Sequence, residues 1–230
     1  MPLLSVVATA IFIGCGKVAS RVAGMEQFPD ITSVQVSGYI VYEDSYSYKD
    51  DVEVFYPRID IYGDNAAAEK VNDDIKNALF AGLDEAEIES YPGVLQLNTQ
   101  YAITYYDDSI FSLFAHIDVA QGGMRGAEYC VGKTYSVTTG EELSLGSFGI
   151  TKEKLQSAAE KKTVYLSPVL QMLHEYDESL YSPDTWIESL DIDDCDTFFL
   201  SERAVNLIVP TAPNMHEYNG IMQIRFHWDG

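Results

Sequence analysis

The feature that most constrains how this chain folds is a strict alternation of apolar and mostly polar residues near its middle. Apolar residues occupy every second position there: Phe111, Leu113, Ala115, Ile117 and Val119. A period of two is the spacing of side chains on one face of a β-strand, so the run from Ile110 to Ala120 predicts a strand. The β-forming run from Val94 to Tyr106 precedes it, and the link from Asp107 to Ser109 has turn composition. The pattern therefore predicts a β-hairpin.

Shorter β-forming runs lie on both sides of this hairpin. They cover residues 34–42, 52–61, 128–137, 197–200, 205–209 and 221–228, and Pro57 is expected to interrupt the second of them. The acidic, tyrosine-rich link from Glu43 to Asp51 is predicted to be a loop. We expect the sheets built from these strands to be mainly antiparallel.

Three further segments have the character of helices. In the first, Asp64 and Asn65 can cap a helix, and Gly82 is predicted to end it. The apolar residues of that helix step by three and four, and they are Ala68, Val71, Ile75 and Leu79. The second helix is predicted from Thr151 to Leu166, and Pro168 opens the third. The chain is therefore predicted to have an α+β fold, in which mainly antiparallel sheets pack with helices.

The first 15 residues carry no charged side chain. A stretch of this length is too short to span a bilayer comfortably, and its small terminal residues are typical of a secretory signal. Its end, Phe12 to Cys15, resembles the lipobox of bacterial lipoproteins, in which the cysteine is lipidated. Residues 1–15 are therefore predicted to be a lipoprotein-type signal segment with Cys15 as the lipidated residue, and residues 16–33 a tether. The alternative is a buried N-terminal strand or helix with an ordinary core cysteine.

Acidic residues outnumber basic ones in this chain. There are 36 Asp and Glu against 14 Lys and Arg, which gives a formal net charge of −22. Such a surface disfavours binding to nucleic acids and to anionic lipids, and its natural complement is a basic partner. Solubility, or a saline or cell-wall environment, explains the same charge without any partner. The densest acidic stretch, residues 175–202, holds ten acids and no base.

Two groups of residues are candidates for contact with a partner. The first is the run Asp191, Asp193, Asp194 and Asp196. Carboxylates at alternating positions are ligands that Ca²⁺ takes, but this run has aspartate where an EF-hand loop needs glycine, so we predict a solvated acidic loop and no bound metal. The second group is Tyr46 and Tyr48 of the predicted acidic loop, because a tyrosine offers a partner both a rigid ring and a hydroxyl.

Catalytic patterns are missing from the sequence. No G-x-S-x-G string marks a nucleophilic serine, and neither His174 nor His216 has a second histidine at helical zinc-ligand spacing. Cys130 and Cys195 also lack metal-ligand spacing; two free thiols are favoured, and one disulfide between them is the alternative. We therefore expect no catalysis and no cofactor.

Several short strings follow one another in a particular order. They are Tyr56-Pro-Arg-Ile59, Asn65 to Asn72, Asp108 to Leu113, the Gly122-Gly123 loop, Tyr135 to Leu145 and Phe199 to Val209. Together they resemble the RsiV-like extracellular domain of unknown function with its preceding companion domain, over about residues 34 to 228. The resemblance implies an N-terminal α+β subdomain at 34–120, intimately associated with an RsiV-like C-terminal α+β subdomain at 121–230. The family's glycine loop continues into Ala-His, whereas this chain has Met124 and Arg125, so Arg125 is a further candidate contact residue.

The family includes the lysozyme-sensing extracellular domain of an anti-sigma factor and the non-catalytic region of a peptidoglycan deacetylase. The resemblance thus implies a binding module of the bacterial envelope. We expect a lipoprotein that is anchored outside the cytoplasm and recognises a basic protein such as lysozyme, or a cell-wall component, without catalysis. The alternatives are an accessory or catalytic component of peptidoglycan modification, and a purely structural surface lipoprotein.

Overall fold

The computed structural model describes residues 32–48, 52–85, 95–121, 124–154, 157, 164–166, 197–202, 204–210 and 221–228. The strands and long helix of this part of the chain are β1 (Val34–Gln35), β2 (Tyr39–Tyr48), β3 (Val52–Ile61), α1 (Asn65–Glu85), β4 (Leu95–Tyr106), β5 (Ile110–Gln121), β6 (Met124–Ser136), β7 (Val164–Leu166), β8 (Phe198–Ser201), β9 (Ala204–Pro210) and β10 (Ile221–His227). A short 3-10 helix, Leu145–Phe148, lies between β6 and β7. The described part of the chain is thus mostly β-structure.

The strands form three sheets. The first sheet has the order β1-β2-β3, the second β4-β5-β6 and the third β7-β10-β9-β8. All of these neighbours are antiparallel, which confirms the predicted strand direction for the described residues. The predicted subdomain boundary at residue 120 lies near the end of β5, and β6 pairs with β5 across it. The division into two subdomains stays a prediction.

The predicted hairpin is present as β4 and β5. The two strands pair in antiparallel register, with one irregularity at Thr104. Asp107 shapes the turn between them, because its Oδ1 accepts hydrogen bonds from the N–H groups of Ser109 and Ile110, both at 2.7 Å. An aspartate that binds the backbone two and three residues ahead is a local turn former. The hairpin is therefore specified by neighbouring residues.

β5 is buried on both faces over residues 111–115. Phe111 belongs to the main core, together with residues of α1 and of the first sheet. On the opposite face, the ring centroid of Phe114 lies 5.0 Å from that of Phe199 on β8. Ser112, on the same face as Phe114, accepts a hydrogen bond from the backbone N–H of Leu200 at 2.9 Å. The second sheet is therefore the middle layer, with α1 and the first sheet on one side and the third sheet on the other.

β8 crosses β6 closely at Gly132. A Cβ atom at this position would lie 2.7 Å from the carbonyl carbon of Phe198. Beside the crossing, the buried hydroxyl of Ser112 donates to the carbonyl oxygen of Lys133 at 3.0 Å and lies 2.8 Å from the hydroxyl of Thr134. The polar groups at this contact are thus satisfied, as buried hydroxyls require.

α1 begins where the sequence predicts and ends later. Asp64 caps it, because its Oδ1 accepts a hydrogen bond from the N–H of Ala67 at 3.0 Å. The buried residues of its apolar stripe include Val71, Ile75 and Leu79. The helix continues through Gly82 to Glu85, so the predicted stop at Gly82 is wrong. A glycine inside a helix costs about 1 kcal/mol relative to alanine, which is small against the burial of the stripe.

α1 also covers the outer edge of β3. The side chain of Asn72 accepts a hydrogen bond from the N–H of Ile59 at 2.8 Å and donates one to the carbonyl oxygen of Ile59 at 2.9 Å. Asn72 thus takes the place of a neighbouring strand. Pro57 lies two residues before Ile59, so its nitrogen faces the same outer edge and the pairing with β2 stays intact. The predicted interruption at Pro57 is therefore wrong.

Two other segments differ from their predictions. The predicted loop from Glu43 is largely strand, because β2 continues to Tyr48, which pairs with Val52. In the predicted helix over 151–166, residues 152–154 are helical, but residues 164–166 form β7 and pair with β10. A partner strand far along the chain overrides the local preference there. The helix predicted to open at Pro168 lies outside the described residues.

Candidate functional site

The paired strands β2 and β3 carry a surface lined with tyrosines and acids. Side chains alternate along a strand, so Tyr42, Asp44 and Tyr46 share one face of β2. The register places Arg58 opposite Tyr42 and Tyr56 opposite Asp44. We call this surface the β2–β3 face, and its residues are Tyr42, Asp44, Tyr46, Tyr56, Arg58 and Asp60.

Asp44 is the centre of hydrogen bonding on the β2–β3 face. Its Oδ2 accepts hydrogen bonds from Nη1 of Arg58 at 3.2 Å and from the hydroxyl of Tyr56 at 3.4 Å. Its Oδ1 accepts one from the N–H of Ser45 at 2.9 Å. The N–H of Ser45 and the Arg58 guanidinium outweigh partial burial and lower the pKa of Asp44 below its ordinary value. Asp44 is therefore an ionised carboxylate that holds a cation of its own chain.

The phenols beside Asp44 keep their protons at neutral pH. Burial, and then the nearby Asp60, raise the pKa of Tyr42. Burial, and then Asp44, raise the pKa of Tyr56. A protonated phenol donates hydrogen bonds and offers its ring, but it is a poor base and a poor nucleophile. The β2–β3 face is thus suited to recognition rather than to proton transfer.

Tyr46 is the predicted contact residue whose side chain the structure places on this face. It is 41% exposed. Its ring centroid lies 5.1 Å from that of Phe80 on α1, in an edge-to-face arrangement. Nζ of Lys76, also on α1, lies 4.2 Å from the centroid of the Tyr46 ring. An exposed aromatic ring of this chain therefore already holds a cation.

A second network of acids and tyrosine joins α1 to β6. The hydroxyl of Tyr135 donates to Oδ2 of Asp74 at 2.8 Å. Nζ of Lys133 lies 3.5 Å from the same oxygen and 2.9 Å from Oε1 of Glu142. Burial, and then the charge of Asp74, raise the pKa of Tyr135. Because Tyr135 is almost fully buried, this network fastens the helix to the second sheet and offers little surface to a ligand.

Other tyrosines also bind structural partners. The hydroxyl of Tyr101 on β4 lies 3.2 Å from Oε2 of Glu43 on β2. The hydroxyl of Tyr39 donates to the carbonyl oxygen of Ile110 at 3.3 Å. Both rings belong to the main core. These contacts agree with the interpretation that most tyrosines of this chain are sheet residues.

The remaining predicted site residues are described in part or not at all. Tyr48 is the last residue of β2, and Arg125 pairs through its backbone with Ala120, but the described part of the chain does not include their side chains. The predicted lipidation and acidic-loop residues lie outside the described residues, and they are Cys15, Asp191, Asp193, Asp194 and Asp196. Their roles stay predictions.

The cysteine and metal predictions have a similar outcome. Cys130 is half-buried beside Phe114 and Phe199, and Cys195 lies outside the described residues. Within the described ranges, no group of three or more His, Cys, Asp or Glu could hold a metal ion. Among the same residues, no helix is long and apolar enough to cross a membrane.

Sequence reasoning missed most residues around Tyr46. Asp44 and Arg58 are not among the predicted contact residues, because no local pattern shows that the second half of β2 pairs with β3. Lys76 and Phe80 are four residues apart on α1 and therefore share a helix face, a spacing that is visible in the sequence. That they meet Tyr46 depends on how α1 packs beside β3, which no local pattern indicates.

Comparisons with known proteins give a distant structural similarity. No family model matches the chain, and no curated protein matches it. A solved structure of a DUF3298 family member from Bacteroides fragilis is 12% identical and has a TM-score of 0.45, with 82% of this chain and 88% of that chain covered. A DUF3298 family protein from Pseudomonas aeruginosa is 13% identical with a TM-score of 0.47, over 82% and 89% of the two chains. At these values the similarity does not extend to a site or an activity.

Proposed function

We propose that this chain is an extracytoplasmic binding module of the RsiV-like class, anchored through a lipid on Cys15, and that it recognises a basic protein such as a lysozyme, or a cell-wall component, without catalysis. The observation that carries the proposal is the charge: 36 acids stand against 14 bases. A net charge of −22 attracts a basic protein over several ångströms of solvent and raises the rate of association.

The β2–β3 face supports recognition as the task. It combines an ionised carboxylate at Asp44, protonated phenols and the exposed ring of Tyr46. These groups bind ammonium and guanidinium ions through ion pairs, hydrogen bonds and aromatic faces. The resemblance of residues 12–15 to a lipobox supports the extracytoplasmic location. The resemblance of the downstream strings to the RsiV-like domain supports the class of partner.

The test is binding of the full-length chain to hen lysozyme and to purified peptidoglycan at about 50 mM and about 500 mM sodium chloride. We expect lysozyme to bind and the higher salt to weaken binding several-fold, because screening removes the long-range attraction. Acetylated lysozyme, in which the lysines are neutral, is the control and should bind much more weakly. Peptidoglycan incubated with the chain should keep its mass spectrum.

The predicted acidic loop is tested in the same assay. Four Asp→Asn substitutions neutralise it, at Asp191, Asp193, Asp194 and Asp196. A control variant neutralises four exposed acids elsewhere, at Glu69, Asp73, Asp108 and Glu141. Both variants lose the same charge, so a larger loss of affinity in the first assigns the contact to the loop.

Each outcome has a distinct meaning. Binding to peptidoglycan alone would favour the accessory role in peptidoglycan modification, and release of peptidoglycan fragments would contradict the absence of catalysis. Binding to neither probe, or an affinity for lysozyme that does not change with salt concentration, would overturn the proposal.

A further inference from the structure

The contact between Lys76 and Tyr46 is unusual for a chain with so many acids. Other basic residues in the described part of the chain pair with carboxylates: Arg58 with Asp44, Lys70 with Glu141, and Lys133 with Asp74 and Glu142. Among the residues that the structure describes, Lys76 makes no ion pair. Its ammonium group lies instead 4.2 Å from the centroid of the Tyr46 ring.

The Tyr46 ring is held ready for such a contact. Phe80 lies against it at 5.1 Å between ring centroids and at an interplanar angle of 62°. Lys76 and Phe80 are separated by one helical turn on α1, so they approach the ring from the same element. With 41% of its surface exposed, Tyr46 is also accessible from solvent.

The neighbouring carboxylate, that of Asp44, also contacts a cation of this chain. Asp44 lies two residues before Tyr46 on the same face of β2, and its Oδ2 holds the Arg58 guanidinium at 3.2 Å. Asp44 and the Tyr46 ring of the β2–β3 face are therefore both in contact with cations of this chain. Both cations lie at the ends of long side chains, which can place a charged group in solvent while their stems stay packed.

We propose that the Tyr46 ring is a subsite for a lysine or arginine side chain of the basic partner, and that Lys76 is an internal occupant that the incoming cation displaces. This inference rests on the proposed function and names the chemistry that the β2–β3 face recognises. Lys76 loses one favourable contact when it moves, and the incoming cation regains it. Lys76 therefore lowers the affinity of the Tyr46 ring for an incoming cation.

The test uses the full-length chain and a short oligolysine peptide as probe, with the acetylated peptide as the uncharged control. Lys76→Gln empties the subsite, and Lys70→Gln removes the same charge from the same helix without touching Tyr46. Because a cation–π contact at an exposed site corresponds to roughly a 2- to 5-fold change in affinity, we expect Lys76→Gln to bind oligolysine by about that factor more tightly than Lys70→Gln. Equal affinities of the two variants would overturn the inference.

Substitutions of Tyr46 supply the second arm. Tyr46→Leu should weaken oligolysine binding, and in its background Lys76→Gln and Lys70→Gln should bind oligolysine with equal affinity. Tyr46→Phe keeps the ring, so it should retain both the binding and the difference in affinity between the two lysine variants. Unchanged binding by Tyr46→Leu would contradict the subsite. If Tyr46→Leu does not fold, Tyr46→Phe and the comparison of Lys76→Gln with Lys70→Gln still test the subsite.

The two proposals fail separately. If lysozyme binds in a salt-dependent way but Lys76→Gln and Lys70→Gln bind oligolysine with equal affinity, the proposed function stands and the subsite is contradicted. Oligolysine binding that is tighter for Lys76→Gln, without any lysozyme binding, would keep the subsite and exclude lysozyme as the partner. No oligolysine binding by any variant would overturn the subsite.

Discussion

Asp107 accepts four hydrogen bonds at the turn between β4 and β5. Its Oδ1 accepts hydrogen bonds from the Ser109 N–H at 2.7 Å, the Ser109 hydroxyl at 2.9 Å and the Ile110 N–H at 2.7 Å. Its Oδ2 accepts a hydrogen bond from the Tyr105 hydroxyl at 2.7 Å. Burial alone would raise the pKa of Asp107, but the hydrogen bonds of Tyr105, Ser109 and Ile110 outweigh it and lower the pKa. A single carboxylate thus organises the turn.

We predict that Asp107→Ala costs about 1–2 kcal/mol of the free energy of unfolding at neutral pH, as the loss of a capping side chain does. The folded pKa lies below the ordinary value of 3.8, so this contribution is fully present above that value. It is lost as the pH falls through the folded pKa, because the protonated carboxyl accepts these bonds poorly. Urea unfolding at neutral pH and at about pH 3 measures the change.

Asp108→Ala is the matched control for this turn. It removes the same charge one residue later, and among the described residues Asp108 accepts a side-chain hydrogen bond from Ser37 alone, at 2.9 Å. Its cost at neutral pH should be clearly smaller. Equal costs, or a cost for Asp107→Ala that does not shrink in acid, would show that the four hydrogen bonds do not stabilise the turn as described.

Among the strands, the crossing of β8 over β6 depends most on one residue. Gly132 leaves no side chain between the strands, and a Cβ atom there would meet the backbone of Phe198 at 2.7 Å. Backbone atoms cannot rotate away as a flexible side chain can. The packing of the third sheet on the second therefore requires glycine at this position.

We predict that Gly132→Ala destabilises the protein by about 1–3 kcal/mol, because the strands must separate and the packing around Phe198 loosens. Gly38→Ala is the control: nothing lies within 4 Å of a Cβ there. That substitution should be neutral or stabilise by up to about 1 kcal/mol, since it lowers the entropy of the unfolded chain. Thermal unfolding of both variants is the measurement, and equal melting temperatures would contradict the close crossing.

Local signals were sufficient for some elements and insufficient for others. The β4–β5 hairpin and the Asp64 cap were predicted, because each depends on residues within a few positions. β7 and the second half of β2 were missed, because their partners are β10 and β3 and the pairing overrides local composition. The extension of α1 past Gly82 was missed because a single unfavourable residue does not end a helix whose other residues favour it.

At the scale of the whole molecule, the excess of acids acts against folding. A net charge of −22 on one chain repels itself in the compact state more than in the unfolded state. Some of the ion pairs that the described acids form, such as that of Glu141 with Lys70, are exposed and offset little of this repulsion. Salt should therefore stabilise the fold, whereas it should weaken the binding to a basic partner that we propose.

We predict that raising sodium chloride from about 50 mM to about 500 mM increases the urea midpoint of unfolding, because the shorter Debye length screens the repulsion between acids. The variant with Glu69, Asp73, Asp108 and Glu141 neutralised carries less charge and should respond less. A midpoint that does not change with salt would mean that the acids are spaced widely enough not to repel each other.

The sequence by itself determined the β4–β5 hairpin with its turn, the start of α1 and the sign of the charge. Each of these follows from residue type and from spacing over a few positions. Only the tertiary structure decided that the second sheet is the middle layer, and that Lys76 lies on Tyr46. The reason is physical: such contacts join segments that are distant along the chain, and their geometry depends on how whole sheets and α1 pack, which no local period encodes.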